Sequence, residues 1–155
     1  MLFRSEAALL NTQWVSHTNT VLRELERLHL RVAEAESARR GYLLTQNPAY
    51  LALYYDSESA VAGDLEQLQR LVQDNPEQRE NLRLLEPALQ AKLAHMRELD
   101  VVRSLRPETV ESGKIKMDRL RSQLSRMETA EERLLEARQA LSEQSRRKEI
   151  GRAHV

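Results

Sequence analysis

What most constrains this chain is an apolar seam that returns every three or four residues along almost its whole length. The first row is Trp14, Thr18, Val21, Leu25, Leu28, Val32, Ala35, Arg39 and Tyr42. It keeps a 3.5-residue repeat over about four heptads, the seam of a helix that packs on other helices. A second row is Tyr54, Val61, Leu65, Leu68 and Val72. A third is Leu82, Leu85, Leu89, Met96 and Leu99, with Lys92 standing where the repeat calls for an apolar residue. The fourth is Met117, Leu120, Leu124, Met127, Leu134 and Leu141, interrupted by Glu131 and Arg138. Four seams predict four helices.

Proline marks their boundaries. Asn47-Pro48 and Asn75-Pro76 each set a capping side chain before a residue suited to the first helical position. Gln78, three residues after Asn75, suggests a capping box. Arg106-Pro107-Glu108 opens the fourth helix, whereas Pro87 leaves the third row in phase and reads as a kink within it. The first and fourth helices, at about 40 residues each, would reach about 60 Å. Short connections make neighbours antiparallel. The predicted fold is therefore all-α, an up-down-up-down four-helix bundle with long first and fourth helices. Both chain ends then lie at one end of the rod, as in a domain hung between two membrane helices.

Composition narrows the function. Only four glycines and four prolines occur among 155 residues, where average usage puts both together at roughly 12% of a chain. Aromatics at 4% are too few for a sandwich or barrel. Lysine plus arginine equals aspartate plus glutamate at 24 each, which argues against a nucleic-acid partner. The absence of cysteine excludes disulfides and cysteine-held zinc, without settling the compartment. No apolar run approaches the roughly 18 residues that would span a bilayer, and Met1-Leu2-Phe3-Arg4 meets a charge too early for a signal peptide. The strings Met1–Ser5 and Glu149–Val155 resemble translated sequencing-adapter DNA. Residues 1–5 and 149–155 are therefore expected to be non-native, the domain to be 6–148, and the natural chain to continue on both sides.

Few residues suggest chemistry. The histidines are His17, His29, His95 and His154, and Glu26–His29 is the one Glu-x-x-His. A metal site in a bundle needs that motif on two helices, so a solvated ion pair is the expected fate of Glu26 and His29. No phosphate loop or nucleophile elbow is present, and neither catalysis nor a cofactor is expected. The unusual stretch is Ala35–Thr45. Glu36 and Arg40 stand at i, i+4, as for a surface ion pair. Gly41 costs about 1 kcal/mol against alanine in a helix interior, so a close backbone approach or a bend is expected there. Arg39 falls on the seam and must be paired or must snorkel to solvent.

Several ordered motifs resemble the type-three CHASE domain. They are Trp14–Thr18, Ala35-Glu36 with Arg40–Thr45, Tyr50-Leu51 with Tyr54, Asp74–Gln78, Ser112–Lys114 with Met117-Asp118 and Arg121, and Glu131–Leu135 with Arg138. The likeness covers residues 6 to 148. It implies an extracytoplasmic, periplasmic sensory input domain between two transmembrane helices. Such a domain feeds a histidine kinase, a diguanylate cyclase or a chemoreceptor-like output, the kinase being the first choice. It also implies a homodimer in the full-length receptor, answering an unknown small-molecule or protein stimulus. Glu36, Arg40, Gly41 and Tyr42 match the central motif and, with Arg39 and Tyr54, are expected to be structural and signalling positions. Trp14, Thr18, Met117 and Leu134 would form the seam along which the first and fourth helices move. The family usually has glycine where Ala38 and Gln46 stand, so a stiffer end of the first helix is expected here. The segment from Ser104 to Glu111 is shorter than usual. The alternative is a soluble helical-bundle interaction module, and flanking membrane sequence would separate the two.

Overall fold

The computed structural model describes residues 2–154, with side chains described from residue 10 to 154. The helices are α1 (Leu2–Thr45), α2 (Pro48–Val72), α3 (Pro76–Met96), α4 (Val101–Ser104) and α5 (Pro107–Ala153). No strand occurs among the described residues. The four predicted helices are α1, α2, α3 and α5, with α1 of 44 and α5 of 47 residues, about 66 and 70 Å at 1.5 Å per residue. The single turn α4 was not foreseen. The third row extends through Leu99, but α3 stops at Met96 and Asp100 starts a new turn by accepting a hydrogen bond from the Arg103 N–H.

Both asparagine caps form as expected. Asn47 Oδ1 accepts the Ala49 N–H at 3.0 Å, and Asn75 Oδ1 accepts the Gln78 N–H at 3.1 Å. The capping box is only half made, because the Gln78 side chain turns into the core instead of back to the cap. There its Nε2 donates to Met127 O at 2.9 Å and to Glu131 Oε2 at 2.7 Å, tying α3 to α5. Asn81 Nδ2 satisfies Gln78 Oε1 at 3.0 Å, so the buried amide is nearly fully used. α3 runs unbroken through Pro87, and Leu82, Leu85 and Leu89 stay buried on one face.

α1 packs chiefly on α2 and α5, and α5 also packs on α3. The core is the predicted seams: Leu25, Leu28 and Val32, then Tyr54 and Leu68, then Leu85, Leu89 and Met96, then Leu120, Leu124 and Met127. α2 and α3, with 25 and 21 residues, are too short to accompany the long helices. The core therefore ends near Thr18 on α1 and Glu131 on α5. Beyond it, among the described residues, α1 and α5 continue with only each other. Leu141, placed in the seam by periodicity, is 57% exposed, and Trp14 is 48% exposed, because no second layer covers them. α5 also stays helical to Ala153, where a break was expected after Lys148; Gly151 alone, at about 1 kcal/mol, does not stop it.

Candidate functional site

The end of the bundle away from the chain termini gathers the unusual residues of the first helix. Lys92, the interruption in the third row, is 1% exposed. Its Nζ lies 2.5 Å from Glu36 Oε2 of α1 and donates to Gly113 O of α5 at 3.2 Å. Glu36 thus pairs across the bundle, and the expected Glu36–Arg40 surface pair is not formed. A buried ammonium needs a carboxylate more than an exposed guanidinium does, and Arg40 is exposed.

Arg39 is 6% exposed and does not snorkel. Nε and Nη2 both donate to Glu98 O, at 3.2 and 3.0 Å, and Nη2 also donates to Ser104 Oγ at 3.2 Å. Ser104 Oγ in turn donates to Glu98 O at 3.1 Å. One α1 side chain therefore holds the link between α3 and α4. Burial lowers the Arg39 pKa, while the charges of Glu36, Tyr54 and Glu98 act to raise it. Tyr54 is fully enclosed in the core; burial and the neighbouring Glu58 push its hydroxyl well above the usual tyrosine range.

Gly41 lies beneath an aromatic ring rather than a backbone. A Cβ there would sit 2.7 Å from the ring of Tyr50, at the start of α2. Tyr42 is half-buried. α1 runs to Thr45, and the turn that ends it falls on Gln46. Gln46 adopts φ 56°, the left-handed conformation that glycine takes most easily, and its N–H reaches Tyr42 O at 2.7 Å. Ala38 is simply buried in the core.

His95, Ser104 and the Glu98 carbonyl were not singled out from the sequence. His95 Nε2 donates to Thr109 O at 2.9 Å, and its ring covers Gly113, where a Cβ would come within 2.5 Å of Cε1. Its pKa is lowered chiefly by burial; the Thr109 carbonyl opposes that, and the Arg39, Lys92 and Lys116 charges add to it. The glycine in Ser112–Lys114 was the one available signal. Elsewhere, Glu24 on α1 is buried beside Asp64 of α2, and burial followed by the Asp64 charge raises its pKa. Glu26 is exposed and His29 half-buried; burial raises the Glu128 pKa, with His29 opposing and Glu132 and Glu26 adding to it. No cluster of three potential metal ligands occurs among the described residues.

At the opposite end, Arg138 of α5 clasps α1. Its Nη1 donates to Trp14 O at 3.0 Å and to Thr18 Oγ1, and the guanidinium lies 4.9 Å over the Trp14 ring. Asn11 Nδ2 donates to Arg138 O at 2.9 Å. Thr18 is buried in this contact, Leu134 is half-buried nearby in sequence, and Met117 belongs to the core proper. No described helix is long and apolar enough to cross a membrane.

The CHASE3 domain profile matches residues 11–141. The chain belongs to the CHASE3 family. A solved structure similar to this CHASE3 domain is the sensor domain of the Rhodopseudomonas palustris histidine kinase HK9. The two are 30% identical with a TM-score of 0.54, over 81% of this chain and 98% of that one. No curated protein matches. The CHASE3 domain is a sensory input domain of the signal-transduction kind, and the family decides for that reading over a stand-alone interaction module.

Proposed function

We propose that residues 6–148 form the periplasmic input module of a membrane-bound histidine kinase, held between two transmembrane helices and working as a homodimer. Residues 1–5 and 149–155 lie outside that module. A small-molecule or protein stimulus acts at the Glu36–Arg39–Gly41–Tyr42 end, with Arg40 and Tyr54 beside it. The signal leaves as a displacement of α1 against α5 along Trp14, Thr18, Met117 and Leu134. The domain itself carries out no catalysis.

The observation that supports this reading is the placement of the two polar knots. Lys92 and Arg39 tie α1 to α3, α4 and α5 at one end, and Arg138 ties α5 to α1 at the other. α1 and α5 run from one knot to the other. Packed helices shift between discrete arrangements by about 1–2 Å, and buried polar contacts on a seam define each register at a cost in stability.

The test places the domain between two membrane helices and a kinase output, with Trp14→Cys and Leu134→Cys as a crosslinking pair. Lys92→Met is then introduced at the far end. The expected result is a changed crosslinking yield together with a changed rate of autophosphorylation. Equal yields and equal rates in the two backgrounds would sink the relay.

A further inference from the structure

The end of α1, His95 of α3, the α4 turn and the start of α5 enclose a pocket of about 110 Å³. One carboxylate lines it, that of Glu36, and Lys92 already matches its charge. Arg39 and Arg40 also line it, and among the described residues neither forms an ion pair. The three hydrogen bonds of Arg39 all end on neutral oxygens and use Nε and Nη2; Nη1 makes none. A guanidinium offers five donors in a fork shaped for a carboxylate, so this buried cation has unused capacity for an anion. His95 Nδ1 is a buried atom without a hydrogen-bond partner at the same pocket. Around the mouth stand Leu44, Leu105 and Val110, each more than half exposed. An apolar rim above a guanidinium that forms no ion pair among the described residues favours an acid with a short hydrocarbon part over inorganic phosphate.

We propose that this pocket binds a small monocarboxylate, its carboxylate held by Arg39 and Arg40 and its short alkyl chain lying against Leu105 and Val110. The assignment rests on the sensory reading of the domain and names the chemical class of its stimulus.

Titration calorimetry on the 155-residue chain with sodium propionate and butyrate tests it, against propionamide and inorganic phosphate as controls. Saturable binding of the acids, and none of the amide, is the expected result. Arg40→Gln and Val110→Glu alter exposed side chains, so both should keep the melting temperature of the unliganded domain. Each should weaken propionate binding by roughly tenfold or more. The proposal is overturned by the absence of saturable binding for both acids, by propionamide binding as well as propionate, or by phosphate binding more tightly than either acid. Undiminished binding in both variants also overturns it. None of these outcomes touches the crosslinking and kinase test above, which uses no ligand.

Discussion

Lys92 and Glu36 form a 2.5 Å ion pair in which the lysine is 1% exposed and the glutamate side chain 22%. The pair joins α1 to α3, and the same ammonium bonds the Gly113 carbonyl of α5. Removing one partner of such a pair leaves a buried charge with less compensation than it needs. Glu36→Gln is therefore expected to destabilise the domain by about 2–3 kcal/mol, the partial exposure of Glu36 reducing the full penalty. Lys92→Met should cost less, because Glu36 can reach water. Urea unfolding of the two variants checks the order, and a reversed order would contradict it.

Gln46 holds a left-handed backbone angle, φ 56°, that costs an ordinary side chain roughly 1–2 kcal/mol. Gln46→Gly should stabilise the domain by about 0.5–1 kcal/mol, since the exposed Nε2 bond to Tyr42 O at 3.3 Å is worth little. A lower urea midpoint for the glycine variant would show that the turn depends on the glutamine side chain.

Gly41 and the Tyr50 ring should behave as a coupled pair. Alanine at 41 gains about 1 kcal/mol of helix propensity but brings a methyl within 2.7 Å of the ring. The prediction is that Gly41→Ala destabilises the wild-type chain and stabilises the Tyr50→Ala chain. A double-mutant cycle measures the difference, and equal effects in both backgrounds would mean that the ring moves aside freely.

Glu24 carries the clearest pH signature. Burial, then the neighbouring Asp64, raises its folded pKa above the ordinary 4.5. Between 4.5 and that raised value the folded chain holds more protons than the unfolded one, so stability falls as pH rises through the window. Glu24→Gln should therefore raise the melting temperature at pH 7, with the gain disappearing by about pH 4. His95, whose pKa is lowered by burial, works in the opposite sense: stability is lost as pH falls below its ordinary 6.5. A melting-temperature gain for Glu24→Gln that is the same at pH 4 and pH 7 would remove Glu24 from the account.

The four long helices, the two asparagine caps and most of the core were legible in the sequence because each depends on local spacing. Val21 to Ala35 repeats at helical intervals and is buried, and Asn47 and Asn75 stand before prolines and cap. Gln78 misled for the same reason, since its position suits a cap while its side chain satisfies Glu131 on another helix. Lys92 stood out as an interruption, but nothing local pointed to Glu36 as its partner. The acceptor of Arg39 is harder still to foresee: it is the Glu98 carbonyl, placed by the ending of α3 after Met96. Leu141 failed in the other direction, its periodicity intact but with no second layer of helices to meet. The pocket at the α4 corner depends on a turn that no repeat announces.

The uncovered continuation of α1 and α5 has a mechanical consequence. Past Glu131, α5 runs a further 17 residues to Lys148, the last residue of the proposed module, roughly 26 Å at 1.5 Å per residue. A pivot of about 4° at the Arg138 clasp would carry Lys148, ten residues or about 15 Å further along α5, by about 1 Å, the scale of known helix switches. In the relay proposed above, the paired extensions would serve as a lever arm, magnifying a rearrangement too slight to break any core contact.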